Sequence, residues 1–264
     1  MAADRARFTT KQLSRRTWPD FESFHLSVHG CGCMLYLRGR HLSPAAATAD
    51  DRAKLMGAPD RSQKKFPHHD WWMAQNLREM KELVWRGQAH GILVYAAKEP
   101  VGWCQYGRVD ELPIEPTAKT PANRLARDPG SRWRITCLTT RRDHRRQGVA
   151  SIALAAAVEA IRASGGGWIE STPVAYPHDA SEWRKIRRAH GPRSDQMKEY
   201  LEDWPEKHIP GVGTVKAATG GGGDHRGTMS MFEQLGFKPT KRDDHGSSPH
   251  WWQPYDLVVM RLKV

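Results

Sequence analysis

The run Arg145-Arg-Gln-Gly-Val-Ala150 brings two guanidinium groups, a glycine and a helix start into six residues. The chemistry of that combination is anion binding. An apolar, strand-like stretch, Trp133 to Thr140, precedes it, and an alanine-rich helical pattern, Val149 to Ala163, follows it. The first N–H groups of a helix have no acceptor within the helix. Together with the helix dipole they attract a phosphate-type anion. Gly148 has no Cβ, so a ligand can approach the backbone closely, and Ala150 keeps the next turn small.

The elements around this loop follow from spacing. Trp72, Leu77, Met80, Leu83 and Val84 recur near the helical period and predict a helix over Asp70 to Arg86. His90 to Ala97 and Val101 to Arg108 predict a hairpin turning at Lys98-Glu99-Pro100. Residues 1–17 read as a loose basic arm, and Trp18 to Phe24 as an aromatic-rich segment. Cys31 to Leu37 reads as a short strand, residues 39–61 as a connecting segment, and proline-bearing residues 109–132 as a loop. Ile152, Ala156 and Ala160 lie on one face of the alanine-rich helix and Leu154, Val158 and Ile161 on another, so it should be largely buried. Gly165-Gly-Gly167 stops it. A strand follows at Gly167 to Val174, then a basic, helical stretch at Glu182 to Leu201 and a glycine tract at Gly220–Gly223.

Two motifs carry a family resemblance. Arg145-x-x-Gly148-x-Ala150 after a strand resembles the (Q/R)-x-x-G-x-(G/A) signature of the GNAT superfamily of acyl-CoA N-acyltransferases. Ser230-Met-Phe-Glu-Gln-Leu-Gly-Phe237 is similar to the late helix of that family, and Tyr255 to Leu262 fits its last strand. The resemblance covers roughly residues 88–174 and 225–262. It implies an α/β fold, a mixed twisted sheet flanked by helices. The expected organisation is one domain over residues 1–264, with an N-terminal extension over 1–61 and an insertion before the last helix over 175–227. That insertion is read either as an acceptor-side lid or interaction element, or as a solvated decoration.

The resemblance implies a function too: transfer of an acyl group, acetyl first, from acetyl-CoA to an amine. That reaction needs a held thioester, a neutral amine and help for the departing thiolate. The pyrophosphate is expected on Arg145, Arg146, Gln147, Gly148, Val149 and Ala150. The pantetheine amides are expected along Leu138, Thr139 and Thr140, as if they were another strand. Phe232 stands where the family often places a tyrosine that protonates the thiolate, and it has no proton to give. His225 aligns with a frequent family asparagine, and Ser230 is a weaker substitute donor.

The base is read from the residues. The strand from Trp133 to Thr140 offers no carboxylate, whereas some family members place one there. Glu170 lies on the next strand, where burial would raise its pKa and suit a base near neutrality. Asp110, Glu111 and a water relay are alternatives, as is a structural Glu170 paired with an arginine.

Composition bounds the rest. The four cysteines, Cys31, Cys33, Cys104 and Cys137, are too few for a disulfide scaffold in 264 residues. Cys31-x-Cys33 invites a metal reading, but structural zinc needs four ligands, and buried free thiols are commoner. No metal is expected, nor a nucleophilic Cys137, because no histidine is placed beside it. Most of the eleven tryptophans should be core, with Trp71, Trp72 and Trp103 assigned to the core or to a cleft rim that could stack a planar or cationic acceptor. No run of 18 apolar residues and no signal-peptide core occurs, so no membrane span and a cytoplasmic location are expected. The net charge of +12 suits an anionic partner, and coenzyme A is one. No zinc-finger, RRM or helix-turn-helix pattern points to nucleic acid. Two rivals stay open: a catalytically weak coenzyme-binding module, and a basic acyltransferase acting on RNA or charged tRNA. The acceptor and the oligomeric state, a homodimer included, are left open by the sequence.

Overall fold

A polar edge strand and an aromatic helix open the chain. Phe8–Gln12 forms β1 and Trp18–Ser27 forms α1. The computed structural model describes residues 7–28, 32–34, 37, 67–112, 131–219, 225–240, 246–247 and 251–264. Contrary to the loose arm expected over residues 1–17, β1 pairs antiparallel with His90–Ala96, from Phe8 opposite Ala96 to Gln12 opposite Ile92. Only Phe8 of β1 is buried. The strand has no apolar face, so its identity comes from its neighbour's backbone rather than from a pattern of its own.

The chain divides into two compact units, Met1–Ile114 with Thr139–Ala157, and Glu115–Leu138 with Val158–Val264. In the first, Pro67–Trp85 (α2) bears out the helix read over 70–86. His90–Ala96 (β2) and Glu99–Arg108 (β3) form the expected hairpin. The turn is tighter than expected. Ala97 and Lys98 make it, Ala97 at φ +53°, and Glu99 and Pro100 already belong to β3. The strand read over Cys31 to Leu37 is not one where it is described: Gly32 and Cys33 form a turn at φ +61° and +54°. Trp103 on β3 is fully buried, its ring against Phe21 of α1 with centroids 4.7 Å apart. The Cys33 carbonyl accepts from Gln105 Nε2 at 2.8 Å, and Cys33 Sγ accepts from Trp103 Nε1. The segment read over 39–61 lies outside the described residues, as do residues 113–130 of the proline-rich loop.

Ser131–Thr140 (β4) and Val149–Ala163 (α3) run through both units. The bounds of α3 are those read from the sequence. Its burial is more one-sided than expected. Ala153, Leu154, Ala157, Val158, Ala160 and Ile161 are buried, whereas Ile152 and Ala156 are half-buried. Gly165 and Gly166 end it at φ +99° and +64°.

The second unit continues with Trp168–Ser171 (β5), Pro177–His178 (β6), Ser181–His190 (α4), Asp195–Glu202 (α5), Glu206–Ile209 (β7), Gly213–Lys216 (β8) and Ala218–Thr219 (β9). Met229–Glu233 (α6), Lys238–Pro239 (β10), Gly246–Ser247 (β11), Asp256–Leu257 (β12) and Met260–Lys263 (β13) complete it. The hydrogen-bonded order is β1-β2-β3-β4-β5-β13-β10, a seven-stranded mixed sheet with β4 and β5 parallel. The α/β architecture is the expected one.

Three readings in this unit are corrected. The helix over 182–201 is two helices, because Gly191 and Pro192 break it and Ser194 caps the second by accepting from Met197 N–H. The last strand, read as continuous over 255–262, is split. Asp256–Leu257 pairs with Gly246–Ser247, and only Met260–Lys263 pairs with β5. The late helix stops at Glu233, and Gly236 at φ +89° turns Phe237 back onto Phe232. The insertion packs against the segments that follow it. Trp183 Nε1 donates to the Trp252 carbonyl at 2.9 Å, and Lys216 N–H donates to Asp256 at 2.6 Å.

One packing feature sets the start of α3. A Cβ on Gly102 of β3 would lie 2.3 Å from Val149 Cγ1, so glycine there lets the helix start seat on the strand. Gly102→Ala should cost about 1–3 kcal/mol by overpacking. In urea the midpoint should fall with an unchanged slope. A parental midpoint would show that this seat is unimportant.

Candidate functional site

In the first unit the loop after β4 is built around Arg141, which the sequence reading passed over. Its backbone N–H donates to the Val101 carbonyl at 2.9 Å. Its guanidinium donates to both Asp143 oxygens, at 2.7–3.2 Å, and to Glu99 at 2.9 Å. His144 Nδ1 stands 3.0 Å from Asp143. The Arg141 guanidinium first, and then His144, hold the Asp143 carboxyl far below the usual carboxylate range. A carboxyl depressed in the folded state contributes while it is ionised and stops contributing as pH falls through its folded pKa. The brace therefore persists well into acid. One aspartate among basic residues in Arg141-Arg-Asp-His144 was its sequence signal.

This brace presents the predicted anion loop. Arg142–His144 is a short 3-10 turn, Arg145 is extended, and Arg146 and Gly148 take φ +58° and +78°. Among the described residues, its chain neighbours aside, nothing lies within 4 Å of where a Gly148 Cβ would stand. Arg142, Arg145 and Arg146 are exposed and form no ion pair with a described residue. Gln147 Nε2 donates to the Asp143 carbonyl at 3.0 Å, tying the loop to its brace. The Gly148 carbonyl accepts the Ile152 N–H, which opens α3, and no acidic residue occupies the first turn. Val149 is buried and Ala150 half-buried, so they can offer only backbone to a ligand above the loop. Left-handed residues beside a helix start cluster N–H donors into an anion-binding concavity.

Thr139 and Thr140 of the first unit are half-buried. In the second unit the pairing of β4 with β5 ends at Ile135 opposite Ser171, which leaves the strand beyond Ile135 without β5 as a partner. Leu138 N–H is not open there, because it donates to the His225 carbonyl. Phe232 has no exposed surface and meets Phe237 edge-on, with centroids 5.1 Å apart.

Glu170 is buried at 3% exposure and lies in a cross-strand row, opposite Arg134 on β4 and Arg261 on β13. Arg261 Nε donates to Glu170 Oε2 at 2.8 Å. Glu111 is engaged as well: it accepts from Arg108 N–H at 2.8 Å and lies 3.2 Å from His90 Nε2. Asp110 is exposed beside Arg108. Cys33, Cys104 and Cys137 are buried, while Cys31 lies outside the described residues. Among the described residues no group of three or more His, Cys, Asp or Glu could hold a metal, and no helix is long and apolar enough to cross a membrane.

Residues 56–182 match the family model described as acetyltransferase (GNAT) family. Among curated proteins, none matches the chain. The fold is similar to solved structures of low sequence identity. One is yncA of Salmonella typhimurium with its cofactor acetyl-CoA, at 10% identity and a TM-score of 0.40, covering 97% of this chain and 94% of that one. An N-acetyltransferase from Staphylococcus aureus Mu50 follows at 12% identity and 0.40, covering 97% and 98%. The ribosomal-protein-S5-alanine acetyltransferase from Vibrio fischeri follows at 10% and 0.40, covering 97% and 93%.

Proposed function

We propose that this chain, whose residues 56–182 match the model of the GNAT acetyltransferase family, transfers acetyl from acetyl-CoA to a primary amine of its acceptor. The observation that carries the reading is the braced loop Arg142–Ala150. It combines exposed guanidinium groups, left-handed residues at Arg146 and Gly148, and open space over Gly148 at the start of a fifteen-residue helix. When bound, acetyl-CoA supplies an activated acyl thioester. The chain's part is to hold the pyrophosphate on Arg145, Arg146, Gln147, Gly148, Val149 and Ala150, and to align pantetheine along Leu138, Thr139 and Thr140. A backbone N–H on that strand polarises the thioester carbonyl. Glu170 takes the amine proton, and Phe232 packs at the thiol end of the cofactor. The thiolate then takes its proton from water, since Phe232 offers none.

The reading is tested by thiol release from acetyl-CoA against a panel of small amines, aminoglycosides, peptide N-termini and lysine peptides. At least one amine should raise thiol release well above the rate of unassisted hydrolysis. Coenzyme binding without release for any amine would favour the rival reading, a coenzyme-binding module. That rival draws support from the buried, hydroxyl-free Phe232 and from the occupied Leu138 N–H. A salt-sensitive mobility shift with RNA would favour the tRNA-directed alternative instead.

A further inference from the structure

The segment His225–Thr228 lies where β4 and β5 part, and it behaves there as a short extra strand. The His225 carbonyl accepts the Leu138 N–H. Two residues on, the Gly227 carbonyl accepts the Val174 N–H at 3.0 Å, and Met229 N–H donates to the Val174 carbonyl at 2.9 Å. Val174 and Thr228 form a parallel bridge. The segment therefore bonds β4 on one side and the continuation of β5 on the other. Gly227, at φ +72°, lets it pass close to β4, since a Cβ there would stand 2.8 Å from Leu138 Cδ1. The Arg226 guanidinium lies over the Tyr255 ring at 5.7 Å. These contacts form a strap, and the strap holds a backbone donor that strand-like pantetheine pairing would use.

We propose that His225–Thr228 is a built-in competitor of the acyl-coenzyme, one that holds the Leu138 N–H in the free protein and yields it on binding. This rests on the reading that pantetheine pairs along Leu138–Thr140. An N–H donates one strong bond to one carbonyl at a time, so the His225 carbonyl and a pantetheine carbonyl exclude each other at Leu138. The exchange replaces one hydrogen bond by another, so its net cost is small and the strap can be displaced. What is lost is the register of the whole segment, because moving His225 pulls on the Gly227–Val174–Met229 bonds. Until the coenzyme is bound, the arrangement keeps the Leu138 N–H occupied.

Hydrogen–deuterium exchange on the full chain, with and without free coenzyme A, tests the proposal. Peptides spanning Val174 and Met229 should exchange faster with coenzyme present, while the peptide spanning Arg145–Ala150 becomes protected. Unchanged or slower exchange at Val174 and Met229, with the 145–150 peptide protected, would overturn the strap and leave the coenzyme reading intact. No protection at 145–150 would remove the coenzyme reading and the strap with it. Gly227→Ala gives a second arm. Its methyl would stand 2.8 Å from Leu138 Cδ1, and alanine is strained at φ +72°, so the strap is loosened. Coenzyme A should bind it roughly threefold to tenfold more tightly, the range of one net hydrogen bond. Parental or weaker affinity in a variant with a parental circular dichroism spectrum would overturn the proposal. If the variant does not fold, the exchange measurement on the parent decides.

Discussion

Gly148→Glu should abolish coenzyme binding. Among the described residues, its chain neighbours aside, nothing lies within 4 Å of a Cβ at Gly148, so the new side chain has room to project outward. It then stands where a phosphate would, with the wrong charge and with Arg145 and Arg146 available to pair with it. Losing a pyrophosphate seat should weaken coenzyme A by about 100-fold or more, or about 2.7 kcal/mol. Some of the effect is conformational, since a non-glycine residue at φ +78° costs about 1–2 kcal/mol in the folded state. Gly148→Ala separates the two. It bears the same backbone cost without charge or reach, so its coenzyme affinity should fall only a few-fold. Calorimetry on both variants, with thermal melts as the check on folding, reads the difference. Equal affinity for Gly148→Glu and parent would remove the loop from the site.

This loop was legible because its chemistry is local. A strand, a glycine and an alanine-rich helix lie within about thirty residues of sequence, and α3 begins and ends where composition says it should. The anion seat needs no distant partner to be recognised. What supports the seat was not legible. Gly102 is an unremarkable strand glycine until Val149 comes to lie over it, and Arg141 is one of several arginines until Asp143 and Glu99 converge on it. Strand identity failed where pairing decides it. β1 has almost no apolar face and borrows its conformation from β2. Tyr255 to Leu262 is a mostly apolar run without a turn residue, but its two ends pair with different partners. The strap was invisible for a related reason: its decisive group is the backbone carbonyl of His225, and every residue has one.

Glu170 shows how a residue can be found by type and still need its neighbours to define its role. The sequence places a carboxylate on an apolar strand. The fold adds Arg261, which lies 91 residues away and donates to that carboxylate at 2.8 Å. Glu170→Gln should lower kcat/KM by about 100-fold or more if the carboxylate takes the amine proton. The loss should shrink at high pH, where more of the amine is already neutral. The same substitution leaves Arg261 with a neutral partner. Because Arg261 keeps 28% of its side chain exposed, the stability cost should stay near 1–3 kcal/mol, below that of a fully buried pair. Arg261→Gln is the discriminating companion. It breaks the same ion pair, so its melting temperature should fall by a similar amount, but it leaves the carboxylate in place. If Glu170 is the base, Arg261→Gln retains most of kcat, because the carboxylate that takes the proton is still in place. If Glu170 serves only to hold Arg261, the two variants lose stability equally and keep parental rates across pH 6–9 while folded. The proton would then have to leave through Asp110, Glu111 or water. Glu111, already accepting from Arg108 N–H and lying beside His90, would be the first to test.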